Sequence, residues 1–194
     1  MDRMLKLPAV LLLAGTCLAT TPGTAQSPDA RAGKCKSTDL VIAVDDTYSM
    51  NGAIREMKNE AKRLVNLVDI VSEGDFQLGL VSFKDDIEID LDLNAAPNPL
   101  AKKQAMHAAI DNLHAAEGAG GPEASDEALL TILNSLPAQG RSQTGDFTGQ
   151  FSAHTRIIVL ITDNLPGGFD DLFIEGVDDQ RAREVAEAAK AANV

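Results

Sequence analysis

Apolar residues along this chain follow two alternating rhythms. Residues 39–44, DLVIAV, are a short run of the kind buried on both sides within a sheet. Ile54, Met57, Ala61, Leu64, Val65 and Val68 then recur at helical spacing over about four turns. Residues 76–83, FQLGLVSF, read as a second strand. Over 87–93, Ile87, Ile89, Leu91 and Leu93 alternate with Glu88, Asp90 and Asp92, which predicts a half-exposed third strand at an antiparallel edge. Its outward acids would discourage edge-to-edge pairing. Residues 99–114 place Ala105, Met106, Ala109, Ile110 and Leu113 on one helical face. After a glycine-rich break, EGAGGPEASDEALL, Pro122 suits the first turn of a helix that buries Leu129, Leu130, Leu133 and Leu136. Residues 141–154 read as a polar loop, and RIIVLIT (156–162) as another long apolar strand. A last helix spans 178–193, with acids at its start and Lys190 near its end, both matching the helix dipole.

Strands separated by helices predict an α/β fold: a doubly wound, mostly parallel sheet with helices on both faces and one antiparallel edge strand. In such sheets ligands bind beyond the carboxyl ends of the strands. Asp45 and Asp163 both follow an apolar strand, so one rim can carry both. The chain stops at Val194, after a helix that should lead into a further strand. The expectation is a fold truncated at its C-terminus, its last strands missing, with an open apolar edge along 156–162.

The N-terminus changes the compartment. Arg3 and Lys6 precede a largely apolar stretch over 7–19, and Gly23, Thr24 and Ala25 supply small residues for a signal peptidase. Residues 1–25 are therefore read as a signal peptide, 26–37 as a polar linker and 38–194 as the domain, in a secreted or periplasmic protein. An uncleaved anchor is the alternative, but the apolar run is short for a span, and no membrane span is expected after signal removal. Cys17 would leave with the signal. Cys35 would then be a lone thiol, with a partner elsewhere or tolerated free.

Composition narrows the partners. The 194 residues are 44% hydrophobic, enough for one domain with a real core. The net charge is -12 and the pI near 4.5, without a cluster of Lys or Arg. Nucleic acid and anionic membranes are poor fits, whereas a cation or a basic partner suits this surface. The run from Gly118 to Gly121 lacks the Gly-Lys-Ser/Thr of a phosphate-cradling loop, so no nucleotide is expected.

The chemistry concentrates in LVIAVDDTYSM, residues 40–50. A haloacid-dehalogenase-type phosphatase needs a second Asp where Thr47 stands. A response-regulator receiver would match Asp45 and Asp46, with Asp85 or Asp86 phosphorylated, but it conflicts with export and leaves Thr47 and Ser49 unexplained. A capped turn needs only Thr47 or Ser49 before a helix starting near Asn51. A metal site uses more of the pattern. Alternate residues of an extended loop point the same way, so Asp45, Thr47 and Ser49 can converge on a hard dication that wants oxygen ligands. Hydroxyls among few carboxylates leave such an ion under-neutralised and able to attract an outside acid.

Asp45-x-Thr47-x-Ser49 after a first apolar strand resembles the metal-ion-dependent adhesion site of von Willebrand factor type A domains. In that family a Gly-rich turn completes the site, and Glu123, at the end of Gly118-Ala119-Gly120-Gly121-Pro122-Glu123, matches its metal-ligating Glu. Gly120 stands where the pattern often has Asp. Asp163, in the strand-Thr-Asp of IVLITDNLPGG, matches the aspartate that usually reaches the ion through water. The resemblance implies a Rossmann-like fold over 38–194 and a site of Asp45, Thr47, Ser49, Glu123 and Asp163. It implies Mg²⁺, with Mn²⁺ or Ca²⁺ as alternatives, gripping an acidic side chain of a protein partner in adhesion or another protein–protein contact, without catalysis. The rivals are a metal-dependent hydrolase, with Asp46 the least unsuited base, and a degenerate scaffold without metal. Plainer roles remain: Glu123 as a first-turn helix acid, Asp163 as a turn residue before Pro166-Gly167-Gly168, Asp46 facing solvent, and His107 and His114 on the surface. Tyr48, the only tyrosine, would sit at the rim of the site.

Overall fold

The computed structural model describes residues 9–14, 37–93, 96–118, 121–170 and 172–194. The readings of Cys17, Cys35, Gly120, most of the leader and the linker up to residue 36 fall outside the described residues. Strand β1 spans Ala9–Ala14, β2 Thr38–Asp45, β3 Phe76–Phe83, β4 Ile87–Leu91, β5 Gln143–Thr144 and β6 Thr155–Thr162. Helix α1 spans Ile54–Ser72, α2 Pro99–Asn112, α3 Ser125–Asn134 and α4 Asp178–Ala192.

Every residue of β2 is buried, because it pairs in parallel with β3 on one side and β6 on the other. The sheet runs β1-β6-β2-β3-β4-β5. From residue 38 onward it is mostly parallel with one antiparallel pair, β3 with β4, as the alternation over 87–93 predicts. Two details differ. β4 is not the edge, since β5 pairs with it in parallel from within the polar loop. That loop is pinned there: the Ile87 amide donates to the Ser142 carbonyl at 2.9 Å, and the Gln143 amide group donates to the carbonyls of Leu136 and Gly145. At the other end β6 does not present an open edge. β1, from the segment assigned to the leader, lies antiparallel along it from Ala9↔Thr162 to Ala14↔Ile157.

Alternation along the strands sorts the core into two layers. Leu40, Ile42 and Val44 meet Met57, Ala61 and Val65 of α1 and Met106 and Ile110 of α2. Val41 and Ala43 face the opposite way, toward Ala128, Leu129 and Ile132 of α3 and Val185 of α4. Each fully buried aliphatic side chain contributes roughly 1.5–3 kcal/mol, and a one-residue slip of β2 would exchange the two sets, so the register is strongly specified.

A local signal sets the start of α2. Asn98 accepts the Ala101 amide at 3.0 Å, and Pro99 opens α2. Pro122 does not open α3, contrary to expectation. A helix opening there would need the Glu123 carbonyl to accept the Glu127 amide, but that carbonyl accepts the Gly167 and Ser125 amides instead. The Glu123 amide donates to Leu165 O at 2.8 Å, the Gly167 amide to Glu123 O at 3.0 Å, and the Ala124 amide to Lys84 O at 2.8 Å. The helix therefore starts at Ser125. No helix among the described residues is long and apolar enough to cross a membrane.

Candidate functional site

Because β2 and β6 are parallel neighbours, their carboxyl ends deliver Asp45 and the Thr162-Asp163 pair to the same rim. Asp45 is fully buried. Its Oδ1 accepts the Thr47 amide at 3.0 Å and the Thr47 hydroxyl at 2.6 Å, and its Oδ2 accepts the Thr162 hydroxyl at 2.7 Å. The Ser49 hydroxyl donates to Asp163 Oδ1 at 2.9 Å, a contact between residues 114 positions apart. Thr47 Oγ1 and Ser49 Oγ stand 2.9 Å from each other.

These contacts decide what the hydroxyls do. Thr47 sits in the N-cap position of a short 3₁₀ turn, Tyr48–Gly52, yet its side chain makes no capping bond, and α1 begins only at Ile54 behind an uncapped Ala53. Both hydroxyls point to carboxylates instead. Ionised carboxylates only accept, so the Thr47 and Ser49 protons go to Asp45 and Asp163. Three short contacts among these four oxygens thus share two hydroxyl protons.

Glu123 is held outside the helix, 1% exposed, in a bridge with Pro166. It is therefore not a first-turn helix acid. Asn164 connects it to the cluster: the Asn164 amide group donates toward Glu123 Oε1 at 3.5 Å, while its backbone amide donates to the Thr162 hydroxyl at 3.1 Å. Asp45, Thr47, Ser49 and Asp163 are thus joined directly, and Glu123 joins them through Asn164 and Thr162. Sequence reading assigned no role to Thr162 or Asn164, although both lie within the strand-Thr-Asp segment that drew attention to Asp163.

The Gly-rich loop closes the third side. The Tyr48 amide donates to Glu117 O at 2.9 Å, and the Ala116 amide to Asp46 O at 3.0 Å. Gly118 has φ +76, and a Cβ there would lie 2.7 Å from Thr47 Cγ2 and 2.9 Å from Thr47 Cβ. Only glycine lets this loop press against Thr47. Tyr48 is 67% exposed at the rim.

Two expectations are corrected. Asp46 does not face solvent; it is buried, with Lys84 Nζ 3.2 Å from both carboxylate oxygens. Burial pushes its carboxyl above the ordinary range, and the Lys84 charge partly offsets this. Burial works to lower the Lys84 ammonium, but the Asp46 charge outweighs it and the net shift is upward. His107 is half-buried, with Nε2 shielded and without a hydrogen-bond partner among the described residues, and burial lowers its pKa, helped by Lys62 and Lys103. His114 is exposed, as expected.

Among the described residues no group of three or more His, Cys, Asp or Glu side chains converges as a metal cage. The cluster instead mixes two carboxylates with hydroxyls.

Residues 39–194 match the family described as VWA, von Willebrand factor type A domain. No curated protein matches the chain. Among solved structures it is similar to the vWF domain of the type V pili tip protein Mfa5 from Porphyromonas gingivalis, at 15% identity over 64% of this chain and 36% of that one, with a TM-score of 0.46. It is also similar to proximal thread matrix protein 1 from the mussel byssus, at 15% identity over 95% of this chain and 48% of that one, with a TM-score of 0.44. The chain spans less than half the length of either.

Proposed function

The chain belongs to the von Willebrand factor type A domain family, and from that premise we propose an exported binding module that uses a divalent cation to grip an acidic side chain of a protein partner. Domains of this family commonly mediate protein–protein interactions. Asp45, Thr47 and Ser49 would hold the ion directly, with Glu123 and Asp163 completing the site. Mg²⁺ is the first candidate, Mn²⁺ and Ca²⁺ the alternatives.

The observation that carries this reading is the proton shortage: four oxygens joined by three short contacts that share two hydroxyl protons. Hard dications take such oxygen donors, and hydroxyl lone pairs turned inward are what coordination requires. When bound, the ion would supply a Lewis-acidic position for an incoming carboxylate oxygen. Asp45 is fixed for this role by its three donors, Thr162 orients its second oxygen, and Gly118 holds Thr47 in place.

The hydrolase rival is weakened by two contacts. Ser49 is bonded to a carboxylate and a hydroxyl rather than to an imidazole, and Asp46 is occupied by Lys84. Panning a displayed peptide library against the immobilised full chain in Mg²⁺ should enrich sequences containing Asp or Glu. Their binding should weaken at least tenfold in chelator, on Asp→Asn substitution in the peptide, and in the Asp45→Ala protein. Equal binding in all arms would contradict the proposal, as would Mg²⁺-stimulated turnover of phosphoester or peptide substrates.

A further inference from the structure

A second feature lies beyond the cluster, between the start of α3, the turn at 167–170 and the start of α4. It is a cavity of about 590 Å³ whose walls include Asp126, Phe169, Ile174, Val177, Arg181 and Glu184. Five carboxylates line it, Asp126, Glu127, Asp170, Asp178 and Glu184, against one guanidinium, Arg181.

Most of these charges are already answered within the protein. Glu127 is paired with Arg141 and Arg181. Arg181 also contacts Glu184 at 3.3 Å. Asp178 takes the Ile174 amide and Asp179 the Gly176 amide, so acids already occupy the backbone donors next to the start of α4. An anion would meet carboxylates there. Asp170 accepts the Leu172 amide at 3.3 Å. Asp126 keeps an oxygen without such a donor. It is 3% exposed, its Oδ1 accepts the Gly168 amide at 3.2 Å, the Glu127 amide also favours its charged form, and its Oδ2 is buried with no side-chain or cationic partner among the described residues. A buried carboxylate oxygen left unpartnered is costly unless something supplies a donor.

The rim is of the opposite character. Ile174 and Val177, which line the cavity, are 44% and 60% exposed, and Leu172 and Phe173 just before them in the chain are 61% and 42% exposed. Such a patch marks an interaction surface. An apolar wall above a carboxylate floor matches one kind of side chain, a long aliphatic stem ending in a cation. A bare metal ion fits less well: the volume is far larger than an ion needs, and no three acids converge.

We propose that this cavity is a docking site for a lysine or arginine side chain of a protein partner, with the ammonium or guanidinium donating to Asp126 and the stem packing on Phe169, Ile174 and Val177. None of the residues proposed to hold the cation lines this cavity. It would let one partner engage the domain through an acidic and a basic residue at two separate points.

The test is an NMR titration of the isotopically labelled full chain with the capped tripeptide Leu-Lys-Leu, its arginine counterpart and its norleucine counterpart. The basic peptides should shift the Gly168, Phe169 and Val177 amides saturably, in the millimolar range or tighter, with norleucine at least tenfold weaker. Asp126→Asn, which keeps the acceptor for the Gly168 amide, should weaken the lysine peptide at least fivefold. Val177→Ser, at an exposed position, should weaken all three peptides. The shifts should persist in chelator, which separates this site from the cation site. Equal binding of norleucine and lysine peptides, loss of the shifts in chelator, or saturation of the same amides by Ca²⁺ alone would each overturn the proposal. The norleucine comparison uses the unmodified protein and remains decisive even where a variant fails to fold.

Discussion

Two carboxylates near the carboxyl rim are buried to nearly the same degree and are answered in different ways. Glu127, 3% exposed, is held by two guanidinium groups, Arg141 Nη2 at 3.0 Å and Arg181. Arg141 is itself fixed by the Thr131 hydroxyl at 2.8 Å. Asp45 is fully buried, and among the described residues its partners are one amide and two hydroxyls. Both acids are well hydrogen-bonded, but only Glu127 is neutralised. Dipolar donors stabilise an anion without cancelling its charge, and a buried uncancelled charge is expensive. The first arrangement is a finished structural joint; the second, on the proposed function, has room for one positive charge. That difference, rather than any count of acids, distinguishes a strut from a site.

The contrast can be broken from either side. The largest effect is expected at the joint. Replacing both Arg141 and Arg181 by Met leaves Glu127 buried and unpaired, which should cost about 3–5 kcal/mol in chemical denaturation, with or without Mg²⁺. Asp45→Asn should behave oppositely. It removes an uncancelled charge while keeping an acceptor for Thr47, so in chelator the variant should melt at or above the wild-type temperature. It should, however, lose the stabilisation that wild type gains from Mg²⁺, about 2.7 kcal/mol at a hundredfold excess over Kd.

Gly118→Ala sits between these effects. A Cβ within 2.7 Å of Thr47 at φ +76 must displace the loop, so a loss of about 1–3 kcal/mol is expected together with weaker Mg²⁺ affinity. Unchanged affinity would mean that the loop does not set the position of Thr47.

The last effect depends on pH and concerns Asp90 of β4. Burial pushes its carboxyl up to about 6, the Glu88 and Asp46 charges add to this, and a Ser82 hydrogen bond opposes it. The native chain therefore binds this proton more tightly than the unfolded chain. The resulting stability is fully present below the ordinary aspartate range and is lost as pH rises through about 6. Asp90→Asn should be more stable than wild type by roughly 2–3 kcal/mol at pH 7.5 and nearly equal to it at pH 4, as read from denaturation midpoints.

How much of this was legible in the sequence depended on contact range. Strand faces and helix stripes rest on spacing within one element, and the predicted buried set of α1 recurs as Met57, Ala61, Val65 and Val68. Asp45, Thr47 and Ser49 were legible for the same reason, lying within five consecutive positions. What failed was set by distant partners. Asp46 turned inward because Lys84 lies across from it, Pro122 lost its helix because the Glu123 carbonyl is committed to the distant Gly167 amide, and the polar loop gained β5 through pairing with β4. The part Thr162 plays in orienting Asp45 spans 117 positions and had no local pattern to announce it.

The central claim is that the Asp45 cluster lacks one cation. Calorimetric titration of Mg²⁺, and separately Mn²⁺, into metal-stripped full chain tests it most directly. A single saturable site is predicted, weakened at least tenfold by Asp45→Asn and unaffected by Asp126→Asn. Absence of binding heat in the wild-type chain, or an isotherm that Asp45→Asn leaves unchanged, would contradict it.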